Sequence, residues 1–288
     1  MATSELYTTP DRVRRLLRLT NAFSSSTNPT DEQVDSLIDQ KMSVLESEVD
    51  DSFHLAQANE YHNLDSTYVP QSGIRVFLRR KNIITPLATA SGDSLKIWNG
   101  STWEEWVGVK TESRAGDFWI DERLGILHIL TAGFAPRYLG VDFTYRYNSG
   151  ARTQINAVAG IDASVTSVTV DSTAGFPMQG WIRIDSEEMR YTGKTATTFT
   201  GLTRGDFNTT AATHADDAVI FYCPSDVVDV TTKLVAIDLL TSEDWSSGGM
   251  NSGENPSGQI PVSSKIENWK ADVSHFFDRY RNMVVAIR

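Results

Sequence analysis

The sequence predicts an α+β protein: a helical bundle drawn from both chain ends, an antiparallel β-sheet region, and an inserted small β-barrel or sandwich domain. Three observations predict it. Apolar residues recur at helical spacing up to about Ser52 and again from Pro224 onward. The pattern switches to period two from about Gly73 to Tyr147. Short β-rich runs punctuated by Gly and Pro fill the stretch between. The expected domains are 1–68, the N-terminal part of the helical core; 69–149, the sheet region; 150–222, the inserted β module; and 223–288, the C-terminal part, with a flexible loop at 246–259.

The first helix is announced by Thr9-Pro10-Asp11: Thr9 caps, Pro10 suits the first helical position, and Asp11 favours the positive end of the helix dipole. Val13, Leu16 and Leu17 form its apolar stripe. Thr30-Asp31-Glu32-Gln33 is a capping box, followed by Val34, Leu37, Ile38, Leu45 and Val49 at helical spacing. In the sheet region Ile74–Arg79 and Leu95–Trp98 alternate as strands, and Asn99-Gly100 is a hairpin turn because both residues tolerate positive φ. Phe118–Ile120, Ile126–Ile129 and Val141–Tyr147 complete one antiparallel sheet. Asn148-Ser149-Gly150 reads as a linker. Strands are then expected at Ser167–Val170, Trp181–Ile184, Met189–Thr192 and Ala218–Tyr222. Pro224-Ser225-Asp226 opens a helix carrying Val227, Val230, Leu234, Ile237 and Leu240 on one face. A second capping box, Ser264-Lys265-Ile266-Glu267, is expected to start the last helix.

Composition narrows the function. At 288 residues, with 40% hydrophobic and 22% charged side chains, the chain can bury a real core, which excludes wholesale disorder. No run approaches the roughly 18 apolar residues of a membrane span. Met1–Glu5 lacks the basic start and apolar stretch of a signal peptide, and Cys223 is the only cysteine, so a soluble product of a cytoplasm is expected. Acidic residues number 37 against 26 basic ones, a formal net charge of -11 that argues against nonspecific nucleic-acid binding by the chain as a whole. Asp outnumbers Glu by 23 to 14 and Arg outnumbers Lys by 18 to 8, a bias that a salt-adapted host would also produce.

The sequence carries no enzyme constellation: no nucleophile elbow, phosphate loop, His-Glu-x-x-His or dinucleotide fingerprint. The five histidines are scattered, so no metal and no cofactor are expected, and no catalytic residues. Asp185, Glu187 and Glu188 read as a solvated hairpin turn. Two features concern surfaces instead. The last helix carries Trp269, Phe276, Phe277 and Tyr280 together with Arg279, Arg281 and Arg288, the residue types that anchor interfaces. The cluster Arg12, Arg14, Arg15 and Arg18 suits fixed pairing with carboxylates on a partner.

Tyr7–Leu17, the capped helix from Thr30, Ile74–Arg80 with Lys96–Trp103, and Pro224–Val227 leading to Lys233–Ala236 together resemble the head–tail connector (adaptor) proteins of tailed viruses of bacteria or archaea. Thr169–Pro177, Tyr191–Gly201, Leu202–Gly205 and Thr213–Ala215 resemble a small β module that recurs in tailed-virus structural proteins. The resemblance implies a virion protein at the head–tail interface, present in the host cytoplasm during assembly. It implies a homo-oligomeric ring, typically twelve-fold, beneath the portal protein. Such a ring extends the DNA channel without sequence-specific DNA contacts and offers a docking surface to a stopper or other neck component; no membrane is involved. In the family the C-terminal segment meets the portal, which here points to Trp269, Phe276, Phe277, Arg279, Tyr280, Arg281 and Arg288. A rival expectation is a carbohydrate-binding or host-attachment protein, with Trp181, Tyr191 and Phe207 of the β module stacking on sugars.

Overall fold

The computed structural model describes residues 5–64, 73–130, 139–242 and 262–285. The chain divides into two compact units, one formed by Met1–Phe53 with Gly150–Arg288 and the other by His54–Ser149.

The first unit opens with α1 (Pro10–Leu17), whose N-cap Thr9 accepts a hydrogen bond from the Arg12 amide, and α2 (Asp31–Val49), closed at its start by a complete Thr30/Gln33 capping box. Two more helices follow the last strand: α3 (Ser225–Thr241) and α4 (Val262–Val285). The last begins two residues before the expected Ser264 cap, so Ser264 lies within its first turn. Val13, Val34, Ile38, Leu45, Val227, Val235, Val273 and Phe276 gather these helices around one apolar cluster. Tyr7 sits inside it. Its hydroxyl donates to Glu46 and accepts the Phe53 amide at 2.8 Å, while its ring packs edge-on against Phe53 and stacks near Phe221.

The rest of this unit is β. Strands β8 (Ala151–Gln154), β10 (Gly180–Ile184), β11 (Glu187–Tyr191), β14 (Thr203–Asp206) and β15 (Val219–Tyr222) form a sheet in the order β14-β11-β10-β15-β8. Strands β9 (Ser167–Thr169), β12 (Gly193–Lys194) and β13 (Thr198–Thr200) form a second, in the order β12-β13-β9. One core, with Ile155, Val168, Ile182, Ile184, Met189, Tyr191 and Phe199, fills the space between them. The five-stranded sheet is covered on both sides. Ile220 of β15 enters the module core, whereas its neighbour Phe221 enters the helical cluster, as period-two alternation requires.

The second unit holds β1 (Ala56–Leu64), β2 (Ile74–Phe77), β3 (Ser94–Trp98), β4 (Trp103–Glu105), β5 (Phe118–Asp121), β6 (Ile126–Ile129) and β7 (Leu139–Tyr147). They make two sheets, β1-β7-β3-β4 and β2-β6-β5, rather than the single sheet expected, and share a core with Leu95, Ile97, Phe118, Leu127, Val141 and Phe143. The Asn99-Gly100 turn joins β3 to β4, with Gly100 at φ 101 and the Asn99 amide donating to Thr102.

The architecture corrects the expected fold class. Fifteen strands in four antiparallel sheets dominate the described residues, and four helices accompany them, two of these coming after the last strand. The chain is therefore not a helical bundle from both ends with β parts looped out. Residues 150–222, with a core of their own, belong to the same compact unit as the helices. The reason lies in element length. A nineteen-residue helix such as α2 displays five turns of periodicity, whereas strands of two to five residues display one or two alternations each.

Buried charge marks the position on which the module closes. Glu187 is fully buried; it accepts Arg204 Nε and Nη2 at 2.8 Å, the Gly205 and Ala212 amides at 2.9 and 3.0 Å, and faces His214 Nε2 at 2.9 Å. Burial pushes its carboxyl up, but Arg204, the Ala212 amide, His214 and the Gly205 amide outweigh this and bring it down to about 2. The stability it supplies is thus present above about pH 4.5 and is lost as pH falls toward about 2. Replacing Glu187 by Ala leaves Arg204 buried and unpaired, and is expected to cost about 3–5 kcal/mol in urea denaturation at pH 7. The same substitution should flatten the acid limb of the stability profile between pH 4.5 and 2.

Candidate functional site

The outward face of the five-stranded sheet, the one turned to the helices, is charged rather than apolar. Across it run Phe221 of β15, Arg183 of β10, Glu188 of β11 and Asp206 of β14, each opposite the next in register. Glu188 is only 6% exposed, so a charge there needs a partner. Arg12 of α1 provides it: Nε lies 3.2 and 3.0 Å from the two carboxylate oxygens, and Nη2 lies 3.0 Å from one of them. The same guanidinium sits 3.7 Å from the centre of the Phe207 ring and 5.6 Å from that of Trp181, and Arg15 covers Phe207 at 4.7 Å. Phe207 and Asn208 hold positive φ of 51 and 63, a turn conformation costly for residues with a side chain, and it is this turn that carries the ring. At the sheet's other end Arg152 of β8 pairs with Glu5 at 3.0 Å.

A cavity of about 310 Å³ opens here, lined among others by Tyr7, Arg12, Trp181, Arg183, Glu188 and Cys223. A second, of about 240 Å³, is lined by Asp11, Asp31, Asp35, Arg14 and Phe207 and again by Arg183. Burial weakens the hold of Arg183 on its proton, and Glu188 and Asp35 offset this; Nε donates to the Asp185 carbonyl at 2.9 Å while Nη1 is buried without a hydrogen-bond partner. Burial likewise pushes the Asp35 carboxyl up, against the pull of Arg183. The Cys223 thiol is pushed up by burial and stays protonated, unlike an activated nucleophile.

The arginine cluster is therefore brought together, with its carboxylates within this chain. Arg14 and Arg15 each reach Asp11 at 2.6 Å, and Arg14 also donates to the Leu19 carbonyl. Arg18 ends α1 in the left-handed conformation and lies exposed. Of the supposed solvated turn, only Asp185 is exposed. Glu187 and Glu188 are buried, and their roles were missed because the partners lie 17 and 176 residues away. Two adjacent carboxylates inside an alternating strand were the available signal.

The aromatic residues of α4 divide. Phe276 is buried, with Phe277 and Tyr280 packed beside it, and Tyr280 meets Phe53 edge-on; Trp269 is half-buried. Arg279 points outward, its side chain 57% exposed, and pairs with Asp226. Between α3 and α4 runs an open groove of about 430 Å³, lined among others by Asp226, Asp229, Lys233, Asp272, Phe276 and Arg279. Lys233 bridges Asp229 and Asp272 at 2.8 and 2.7 Å. Arg281 lies in α4 with its side chain outside the described residues, and Arg288 lies outside them altogether. The three aromatics of the sugar-binding expectation do not form one platform: Tyr191 is buried with its hydroxyl on the Pro177 carbonyl, Phe207 lies under two guanidiniums, and Trp181 alone is 40% exposed.

Among the described residues no helix is long and apolar enough to cross a membrane. No known protein family and no curated protein matches the chain.

Removing Arg12 strands Glu188. Arg12→Ala is expected to lower stability by about 3 kcal/mol in urea denaturation. Arg12→Lys should recover less than half of that loss, because an ammonium neither forks onto both carboxylate oxygens nor stacks on Phe207.

Proposed function

We propose that the chain is a structural virion protein: a head–tail adaptor that forms a ring, twelve-fold as in the family it resembles, between the portal protein and the next neck or tail component, and that extends the DNA channel. The stretches around Tyr7–Leu17, Ile74–Arg80 and Pro224–Ala236 support this by resemblance. The observation that carries it is the open groove between α3 and α4. It joins outward-facing Arg279 to Asp226, Lys233 and Asp272, a mixed-charge surface on the helix expected to meet the portal. Phe276, Phe277 and Tyr280 contribute by fixing the position of α4 from behind rather than by touching the partner. A ring wall of strongly negative charge also lets DNA pass without adhering.

Truncating the chain before Trp269 would be a poor test, because it removes Val273 and Phe276 from the core. Arg279→Glu is cleaner, since an exposed side chain contributes little to stability. In native mass spectrometry with the portal protein of the same genome, the expected complex has one copy per portal subunit. Arg279→Glu should weaken it at least tenfold with an unchanged thermal midpoint. No complex with the unaltered protein at any salt concentration would overturn the adaptor reading.

A further inference from the structure

The charge of this protein is divided unevenly between its two units. Residues 54–149 carry ten acidic and ten basic side chains, so the remainder carries 27 acidic against 16 basic and holds the entire net charge of -11. Within the neutral unit, cations and aromatics collect on the outer face of the β2-β6-β5 sheet. The inward residues Val76, Phe118, Ile120, Leu127 and Ile129 fill the core. The outward row, in register across three strands, is Arg75, His128 and Trp119. The Trp119 and His128 rings stack at 3.7 Å and 8°, and Arg114 caps Trp119 at 4.1 Å. Burial, then Arg75 and Arg114, hold the His128 ring toward its neutral form against Asp121, the acidic residue of the same face. Beside this row Phe77 is 69% exposed, an unusual fraction for a phenylalanine on a sheet. Arg75 and Arg114 are both exposed and pair with no carboxylate among the described residues.

The acidic unit offers a matching surface. Between Asp31 and Asp51 lie eight carboxylates and a single lysine, Lys41, which pairs with Asp238 at 2.6 Å. One outward face of α2 presents Glu32 and Asp39, with exposed Ser36 between them along the axis. Glu32 and Asp39 are two turns apart, about 10 Å along the helix axis. Arg75 and Trp119, the residue that Arg114 caps, are two strand spacings apart, also about 10 Å.

We propose that the outer β2-β6-β5 face of one copy docks on α2 of a neighbouring copy, with Arg75 and Arg114 meeting Glu32 and Asp39 and His128, midway along the row, lying over Ser36. The two patches differ, so the contact is heterologous and repeats head to tail, the geometry that closes into a ring. The inference deepens the adaptor reading and rests on it for the ring, while naming the lateral surface.

The test is cysteine cross-linking of the full chain in the presence of its portal protein, with portal binding followed in parallel. A chain carrying both His128→Cys and Ser36→Cys, oxidised with copper–phenanthroline, should give a ladder of covalent multimers on a non-reducing gel. Either substitution alone should give none. Arg75→Glu with Arg114→Glu should cut the ladder at least tenfold, and adding Glu32→Arg with Asp39→Arg should restore it. No ladder from a chain that still assembles on the portal overturns this contact and leaves the adaptor reading standing. A ladder indifferent to the charge reversals overturns it as well. Loss of both ladder and portal complex removes the two together.

Discussion

Around Glu187 and Glu188 the five-stranded sheet of the larger unit is packed on both faces, and this single constraint organises everything around it. Period-two alternation forces Glu187 and Glu188, neighbours in sequence, to opposite sides of one strand, where neither has water to solvate it. Each must find a cation. Glu187 draws Arg204 and His214 inward and so folds the loop from Thr203 to Ala215 onto the module. Glu188 draws Arg12 down from α1 and so fixes where the helices sit on the sheet. A hydrophobic sheet face would have tolerated sliding between helices and sheet. A buried ion pair with Arg183 opposite Glu188 in register and Phe207 against the guanidinium does not, because a shift of one residue would leave a carboxylate alone.

What could be read from the sequence follows how far apart the interacting residues lie. Local signals were legible: the Thr9 and Thr30 caps, the Asn99-Gly100 turn and the apolar stripes of α1 to α4 are each decided within a few residues. The weight of the architecture was not. Ala56–Leu64 forms a nine-residue strand paired along its length with Leu139–Tyr147, yet Ala-Gln-Ala-Asn-Glu-Tyr-His-Asn-Leu has little apolar alternation, and its pairing partner is some 75 to 90 residues away. Its conformation comes from the neighbour, not from its own propensity. The candidate site behaved in the same manner. The arginine cluster near residue 12 was visible as a cluster, and the i to i+3 and i to i+4 spacing of Asp11 with Arg14 and Arg15 was open to inspection. Glu188 as the partner of Arg12 was beyond reach, because 176 intervening residues carry no trace of that contact.

The aromatic residues of α4 teach a related lesson about composition. Trp, Tyr, Phe and Arg mark interfaces statistically, but the same residues also fill cores, and only the helix phase separates the two uses. Val273, Phe276 and Tyr280 recur at three and four residues and turn inward, while Arg279, between them, turns outward onto the groove. The interface composition of the helix is thus shared between a buried side that holds α4 in place and a charged side free to meet a partner.

That division extends to the whole chain. Ion pairs within the larger unit consume much of its basic complement: Arg12, Arg14, Arg15, Lys41, Arg152, Arg204, Lys233 and Arg279 all pair internally. With 27 carboxylates and 16 cations, what remains on its surface is an excess of acid. The smaller unit balances its charges overall and still leaves Arg75 and Arg114 on an aromatic face without an acidic partner among the described residues. A chain that neutralises its cations inside one unit and displays them on the other has separated its charge along its own length. Copies that meet acid to base satisfy both surfaces at once, whereas like faces repel, so charge separation of this kind favours a directional contact over a symmetric one.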